Sequence, residues 1–396
     1  MGVQPSGRVG VAFVGMGGAV ATTAIAGIEM LKSGSNRLDG LPLAGVSVPG
    51  LADYRDLVFG GWDLMDDDLA TAAEKHGVLG RDELKDGAAG LHDIRPWRAV
   101  GSDKFCRNIN GRNKINAGSH REAVDLIAED LRRFQRESEA DQLVVVNLAS
   151  TERWPNLTAK ALRSMNAFEQ GLDDSDEAIG PAMLYAYAAI ANGIPYANFT
   201  PSVAADVPAL IEFARDRNVP IAGKDGKTGQ TFMKTVIAPA LKARSLHVDG
   251  WFSTNILGNR DGLALDDPDS LKSKLNTKGS VLDSILGYPV EDHIVDIRYY
   301  RPRGDDKEAW DNIDVTGFLG QRMQIKVNFL CKDSILAAPL AIEIARVLGL
   351  AQKRGAGGVQ EQLSVFFKAP MAINGHAPEH AFHIQDRMLF DWLWQA

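Results

Sequence analysis

Residues 7–18 hold the pattern that most restricts how this chain can fold. An apolar run, GRVGVAFV, leads into Gly15-Met16-Gly17-Gly18, and a helix-like segment, AVATTAIAGIEMLKSG, follows directly. A short strand, a glycine turn and a helix are the opening of a nucleotide-binding βαβ unit. The unpaired N–H groups at the start of such a helix attract a pyrophosphate. The pattern therefore predicts an α/β fold with a dinucleotide site at its first turn.

Strand-like and helix-like segments continue to alternate along the first half of the chain. LPLAGVSV (41–48), QLVVVNLAS (142–150) and VPIAGKDG (219–226) read as strands, whereas GIPYANFTPS (193–202) has the composition of a turn-rich connection. This alternation predicts a parallel sheet covered by helices. After about residue 235, β-like segments with alternating apolar positions predict a sheet with one covered face, in a second, mixed domain. SILAAPLAIEIARVLGLAQKRG (334–355) then reads as a long helix and LSVFFKAP (363–370) as a strand.

Composition excludes several classes of protein. The 396 residues carry 43 Lys and Arg against 51 Asp and Glu, a net charge of −8, so no overall basic field attracts nucleic acid or anionic lipid. The two cysteines, Cys106 and Cys331, are too far apart for a metal motif and too few for a disulfide framework, which favours a cytoplasmic protein. No apolar run reaches the roughly 18 residues of a membrane span, so no membrane partner is expected.

The first glycine turn is an incomplete dinucleotide fingerprint. Gly15, Gly17 and Gly18 are present, but Ala19 and Val20 follow where the full motif continues towards a third glycine. A plain strand-to-helix turn is the alternative interpretation. The carboxylate that would hold the ribose is expected about 20 residues further on, where only Asp39 is available. Asp63, after a later strand-like run, is the better candidate, although a helix N-cap would explain it as well.

A second glycine loop spans Gly223 to Thr231. It lacks the spacing of a Walker motif, which excludes the ATPase interpretation. A glycine loop with a hydroxyl at the start of a helix still suits a small phosphate. Lys274 and Lys278 lie four residues apart, where a shared anion would relieve the repulsion between them. Lys368 ends a predicted apolar strand, where a lysine needs a partner or loses its proton.

Several motifs in one order resemble the inositol-3-phosphate synthase family. They are the block Gly223–Thr231, Asn255-Ile256-Leu257-Gly258-Asn259-Arg260-Asp261-Gly262, Ser273-Lys274, Lys278-Gly279-Ser280, Cys331-Lys332-Asp333-Ser334 and Lys368-Ala369-Pro370. With the first glycine loop they cover nearly the whole chain, whose compact form is similar to the prokaryotic members. The resemblance implies a redox-neutral isomerisation of D-glucose 6-phosphate to 1D-myo-inositol 3-phosphate with bound NAD. Oxidation at C5, enolisation, intramolecular aldol cyclisation and reduction would follow one another.

The resemblance also implies residue roles. By matching motifs, the expected catalytic residues are Lys274, Lys307, Lys368, Asp225 and Asp333. The expected substrate-binding residues are Lys278, Asn255, Asn259, Asp261, Thr228 and Gly229, with Lys278 on the phosphate. The expected NAD contacts are Gly15, Gly17, Gly18, Ala19, Val20, Asp63, Asn147, Ser150 and Thr151. Thr228 stands where serine is common, which keeps the hydroxyl.

The resemblance further implies an assembly and leaves some questions open. We expect a Rossmann-type NAD-binding domain of residues 1–234 plus 341–396, and an α+β catalytic and tetramerisation domain of residues 235–340. A homotetramer is expected. Lys224 stands where the family often has an acidic residue, which leaves the use of a divalent or monovalent cation open. An NAD-dependent sugar-phosphate dehydrogenase, a cyclase for another hexose phosphate and an NAD-sensing binding protein are the alternatives.

Overall fold

The computed structural model describes residues 7–35, 37–80, 82–84, 90–106, 109–258 and 281–395. Two sheets organise these residues. The strands are β1 (Val9–Val14), β2 (Leu57–Asp63), β3 (Trp97–Arg98), β4 (Gln142–Asn147), β5 (Tyr196–Asn198), β6 (Pro220–Gly223), β7 (His247–Leu257), β8 (Asp292–Tyr299), β9 (Asp306–Thr316), β10 (Arg322–Lys332) and β11 (Gly358–Val359). The larger helices are Ala19–Lys32, Leu69–His76, His120–Ser138, Met165–Asp173, Pro181–Ala191, Pro208–Asp216, Gln230–Ala243, Asp333–Lys353 and Phe382–Trp394, with a shorter helix at Val281–Leu286.

The first sheet is parallel, in the order β11-β6-β5-β4-β1-β2-β3. β1 lies at its centre and is buried along its whole length, because helices cover both faces. The order reverses direction at β1, so the carboxyl ends of β1 and β4 leave a crevice between diverging connections, where ligands of such sheets bind. The predicted α/β, Rossmann-type architecture is confirmed.

The second sheet has four strands in the order β10-β9-β7-β8. Only the β7–β8 pair is parallel, and β9 pairs antiparallel with β7 and β10. One face packs Trp251, Ile313 and Val315 against the helices Gln230–Ala243 and Val281–Leu286. The expected domain boundaries, 234/235 and 340/341, fall inside the helices Gln230–Ala243 and Asp333–Lys353, so the division stays a prediction.

Three local predictions were wrong. Residues 41–48 form turns instead of a strand, and their apolar side chains pack against the helix Asp333–Lys353, where the backbone N–H of Leu43 donates to Glu343 at 3.1 Å. The segment around Ser364 is a 3-10 helix, Glu361–Phe366. The expected connection at 193–202 contains β5, whose backbone pairs with β4 and β6 on either side.

One helix of the described residues, Asp333–Lys353, is long and apolar enough to cross a membrane by length and composition, a segment that sequence analysis did not expect. Of its apolar window, 78% is buried inside the protein. It carries the buried pair Glu343 and Arg346, with Arg346 Nη1 at 2.6 Å from Glu343 Oε2. Tyr54 also donates to Glu343, at 2.5 Å. These contacts are those of a core helix.

Candidate active site

A cleft at the carboxyl ends of β1 and β4 brings the two glycine loops together. It contains about 1630 Å³ of space, counted to its open mouth. Most of the predicted site residues line it: Gly15, Gly18, Ala19, Val20, Asp63, Asn147, Ser150, Thr151, Asp225, Thr228, Lys307, Asp333 and Lys368.

At the cofactor end, the first turn needs glycine at its opening residue. Gly15 has φ +86°, and a Cβ atom there would lie 2.9 Å from the backbone of Ala149. Its N–H donates to the Trp62 carbonyl at 2.8 Å. Gly18 precedes the helix Ala19–Lys32, and no side chain caps that end. Backbone N–H groups and a positive helix end therefore face the cleft, as a pyrophosphate requires.

Asp63 ends β2 and braces this turn. One carboxylate oxygen accepts the Gly17 N–H at 2.8 Å and the other accepts the Met65 N–H at 2.9 Å. Asp63 is not the cap of the following helix, since that cap is Asp68. Asp39 lies outside the cleft lining. Gly17 is outside the lining as well, although its N–H fixes the orientation of Asp63.

The opposite end of the cleft holds two lysine–aspartate pairs. Lys368 Nζ lies 2.8 Å from Asp225 Oδ1, and Lys307 Nζ lies 3.2 Å from Asp333 Oδ1. Both lysines are 7% exposed. A buried ammonium needs such a counter-charge, because water no longer solvates it. Thr228 donates its hydroxyl to the same Asp333 oxygen at 2.9 Å.

Other predicted substrate residues lie nearby or outside the described chain. Gly229 lies beside Lys307: a Cβ atom built on Gly229 would be 3.9 Å from the Lys307 Nζ atom. Asn255 is buried, donates to Gln230, and lines a small pocket with Lys307 and Lys368. The remaining four, Lys274, Lys278, Asn259 and Asp261, lie outside the described residues. Within the described chain, no cluster of three or more His, Cys, Asp or Glu could hold a metal.

Lys224, which stands where the family often has an acidic residue, forms a buried ion pair with Asp206. Its Nζ lies 2.7 Å from Asp206 Oδ2 and 4.7 Å from the centroid of the Trp154 ring. The residue is only 7% exposed. Lys224 therefore supplies the positive charge beside Asp206.

The structure adds residues in and beside the cleft that the motifs did not single out. His76 lies in the cleft wall, and its Nε2 atom is 2.8 Å from the Gly17 carbonyl oxygen. Asp305 accepts from the backbone and hydroxyl of Ser334 at 3.0 and 2.7 Å, which holds the start of the helix Asp333–Lys353 beside Lys307. A histidine at a helix end and a pair of aspartates before a lysine are the only sequence signals for them, and neither is specific.

Glu152 lies in the cleft wall and is buried. Its Oε1 atom accepts the Ala182 N–H at 2.9 Å, at the start of the helix Pro181–Ala191. Burial raises the pKa of this carboxyl to about 8, outweighing the backbone hydrogen bond, which lowers it. The cofactor end of the cleft therefore contains a carboxyl that is largely protonated at neutral pH.

Comparison with known proteins agrees with this geometry. A family model described as myo-inositol-1-phosphate synthase matches residues 46–394. The chain is 42% identical to inositol-3-phosphate synthase 1 of Bacteroides thetaiotaomicron, covering 98% of this chain and 95% of that protein. It is 33% identical to inositol-3-phosphate synthase of Brassica napus, over 84% of this chain and 69% of that protein.

Solved structures agree as well. The crystal structure of inositol-3-phosphate synthase from Caenorhabditis elegans matches with a TM-score of 0.91 at 25% identity, covering 99% of this chain and 86% of that chain. A myo-inositol-1-phosphate synthase-related protein from Thermotoga maritima matches with a TM-score of 0.79 at 26% identity, over 98% of each chain. The resemblance that the motifs indicated is confirmed, and this chain belongs to the myo-inositol-1-phosphate synthase family.

Proposed function

We propose that this chain converts D-glucose 6-phosphate to 1D-myo-inositol 3-phosphate. Among the residues that the structure describes, Lys307 and Lys368 are its principal catalytic residues. The synthase activity, an isomerase reaction of class EC 5.5.1.4, and the NAD cofactor follow from the family and its full-length relatives. The roles of individual residues are our proposal. The observation that carries them is that two buried lysine–aspartate pairs and a glycine-rich helix start face one cleft.

The cofactor end of the cleft fits NAD. The Gly15 turn packs directly against the Ala149 backbone, where any Cβ atom would clash, and it is followed by the uncapped start of the helix Ala19–Lys32. Gly18, Ala19 and Val20 would surround the phosphates, and the Asp63 carboxylate would accept from a ribose hydroxyl. Asn147, Ser150 and Thr151 would hold the nicotinamide end. NAD supplies reversible oxidation of the substrate carbon.

The lysine end of the cleft would move protons at the substrate oxygens. Lys368 and Lys307 each present an ammonium that donates to oxygen, and Asp225 and Asp333 orient them. An alkoxide, an enolate and an aldolate all place negative charge on oxygen, and a fixed ammonium in a water-poor cleft stabilises each of them. Thr228 and Gly229 directly precede the helix Gln230–Ala243, whose uncapped start favours a substrate phosphate there. Roles for Lys274, Lys278, Asn259 and Asp261 stay predictions.

Product identification tests the reaction. Purified protein with glucose 6-phosphate and NAD at far less than the substrate concentration should form inositol phosphate, seen by proton and phosphorus NMR, without growth of NADH absorbance. Steady NADH accumulation would identify a sugar-phosphate dehydrogenase instead. A different cyclic product, or turnover only with another hexose phosphate, would identify the paralogous cyclase. Binding of NAD with no turnover of any hexose phosphate would identify the binding protein.

A homotetramer formed through the second sheet is the assembly we propose. Phe252, Ile294 and Leu330 lie on the face of this sheet opposite the buried Trp251, with 38%, 50% and 59% of their surfaces exposed. Exposed apolar residues on one face of a sheet are found at subunit interfaces. Light scattering during gel filtration should give four chains, and Phe252→Arg should give smaller species with an unchanged circular dichroism spectrum. A monomeric parent protein would contradict this assembly.

Three further points belong to the same proposal. Residues 235–340 would form the catalytic and tetramerisation unit on the NAD-binding domain of residues 1–234 plus 341–396. The low cysteine count supports a cytoplasmic enzyme.

Cation use is tested by turnover in EDTA and in a series of sodium, potassium and ammonium salts. Loss of turnover in EDTA would show a divalent requirement, and a difference among the salts would show a monovalent one.

A further inference from the structure

A second cavity lies on the other side of Thr228 from the active-site cleft. Its walls come from the helix Ala19–Lys32, the loop at residues 37–43, the helix Asp333–Lys353 and the C-terminal helix Phe382–Trp394. It contains about 1510 Å³ of space, counted to its open mouth, and its lining is mainly apolar. Representative wall residues are Ile28, Leu43, Phe232, Leu336, Phe366 and Phe390. No step of the proposed reaction uses this cavity.

One buried cation faces this apolar space. Lys227 lines the cavity and is 4% exposed. Its ammonium donates to the amide oxygen of Gln385 and lies 5.5 Å from the centroid of the Phe382 ring. Among the residues that the structure describes, no carboxylate forms an ion pair with it. An ammonium has three N–H donors, so a single neutral acceptor leaves most of its hydrogen-bonding capacity unused.

We propose that this cavity binds an aliphatic carboxylate, with the chain against the apolar walls and the carboxylate paired with Lys227. An apolar cavity with one buried cation in its wall is complementary to a ligand with one anionic end and a hydrocarbon body. A neutral alcohol would fill the same space but would leave the ammonium without a counter-charge. This site is separate from the proposed catalytic function, and its test needs no turnover.

Because the carboxylate would pair with protonated Lys227, its affinity should depend on pH. Burial lowers the pKa of the lysine to about 7. The other titratable groups near the cavity are Arg37 and Asp39 on the loop, Asp386 on the C-terminal helix, and Glu379 and His380 before that helix. Burial lowers the pKa of His380 to about 4, so it stays neutral between pH 6 and 8. Over that range Lys227 is the group whose charge changes and which would face the carboxylate.

Isothermal titration with decanoate, and with 1-decanol as its uncharged partner, tests the proposal on the full-length protein. At pH 6, where Lys227 is mostly protonated, we expect one saturable site for decanoate and at least tenfold weaker binding of 1-decanol. Decanoate affinity should fall about tenfold from pH 6 to pH 8, since only the protonated lysine pairs with it. Binding at pH 8 should take up close to one proton, measured by comparing buffers of different ionisation enthalpy.

Four variants distinguish the contribution of the Lys227 charge to binding from that of the apolar cavity. Lys227→Met should weaken decanoate at least tenfold and leave 1-decanol unchanged, whereas Lys227→Arg should keep decanoate and remove the pH dependence, because arginine stays charged. Gly27→Leu should weaken both ligands, since a Cβ atom at Gly27 meets no atom within 4 Å and the side chain would extend into the cavity. Lys234→Met is the control: it removes a buried lysine that lies outside this cavity, in the helix Gln230–Ala243. It should change the affinity for neither ligand.

Three results would overturn the proposal. The first is a lack of saturable decanoate binding to the parent protein at pH 6. The second is equal affinity for decanoate and 1-decanol at pH 6. The third is unchanged decanoate binding at pH 6 in a folded Lys227→Met variant. Thermal melting of each variant establishes that it is folded. If Lys227→Met does not fold, the comparison of decanoate with 1-decanol and the proton uptake of the parent protein still decide the question.

Discussion

The two ends of the active-site cleft are built in different ways. The cofactor end is mostly backbone, and its turn comes from consecutive residues, Gly15 to Ala19. The lysine end is made of side chains whose partners are distant in the chain, 26 residues apart for Lys307 and Asp333 and 143 residues apart for Lys368 and Asp225. A backbone site is sensitive to any added Cβ atom, and a side-chain site is sensitive to the loss of one functional group. Each prediction below tests this contrast.

The largest effect is expected at Lys368. Replacing it with Met keeps the apolar stem and removes the ammonium, so turnover should fall by about 10³-fold, as expected when a proton donor to a developing charge is lost. NAD affinity should stay within about twofold, since the lysine end contributes little to the cofactor. Turnover by product NMR and NAD binding by calorimetry measure the two ends separately.

Exposed Lys160 provides the control for that experiment. Lys160→Met removes the same charge away from the cleft and should leave both readouts unchanged. Equal turnover of Lys368→Met and the parent protein would refute the catalytic role. A loss of NAD binding as large as the loss of turnover would show that the two ends are not separable.

Gly15→Ala should weaken the cofactor end by backbone geometry alone. Its φ of +86° disfavours any side chain, and the new Cβ atom would meet the Ala149 backbone at 2.9 Å. We expect NAD affinity to fall about 30-fold, equivalent to roughly 2 kcal/mol. Gly34→Ala is the matched control, because Gly34 has φ +109° but open space around its Cβ position. Gly34→Ala should cost stability without changing NAD affinity, and equal NAD affinities for the two variants would contradict the role of the turn.

Thr228 tests whether the lysine end depends on a hydroxyl rather than on side-chain shape. Thr228→Val removes the hydrogen bond to Asp333 and keeps the volume, so the KM for glucose 6-phosphate should rise about tenfold. Thr228→Ser keeps the hydroxyl and should stay within about twofold of the parent protein. Initial rates across substrate concentrations measure both. If the serine variant loses as much as the valine variant, the methyl group matters and the hydroxyl interpretation is wrong.

The same contrast explains what the sequence could predict. The strand, turn and helix from Val9 to Lys32 were predictable because their signals are local. The 41–48 segment was wrongly predicted as a strand, because its apolar residues are buried by the helix Asp333–Lys353, about 300 residues away in the chain. No local pattern contains that contact. The family motifs named Asp225 and Lys368, but only folding brings them to 2.8 Å.

The stretch before Lys368 shows a second limit. Apolar letters at 363–367 fit a buried strand, yet the structure forms a 3-10 helix that ends at Phe366. The backbone N–H of Lys368 then donates to the Asp225 carbonyl at 2.6 Å. The chain turns there to reach the second glycine loop, and periodicity over five residues does not distinguish a short strand from a buried turn of helix. Lys368 was thus predicted in the site, but on the wrong element.

The last comparison is between one buried carboxyl group at each end of the cleft. Asp225 is paired with an ammonium, whereas Glu152 meets a helix N–H and burial raises its pKa to about 8. Below the ordinary pKa near 4.5 both folded and unfolded states hold the proton. As pH rises towards 8 only the unfolded state releases it, so Glu152 increasingly favours unfolding. Glu152→Gln removes this titration and keeps an oxygen for the Ala182 N–H.

The free energy of unfolding of Glu152→Gln relative to the parent protein should therefore rise with pH. Urea denaturation at pH 5.5, 6.5 and 7.5 should show an increase on the order of 1 kcal/mol per pH unit, which is the value of one proton released only on unfolding. Glu74→Gln, at an exposed helix position, should show no such trend. A difference that does not change with pH would mean that folded Glu152 is ionised, and that the cofactor end, like the lysine end, balances its carboxylate with positive charge.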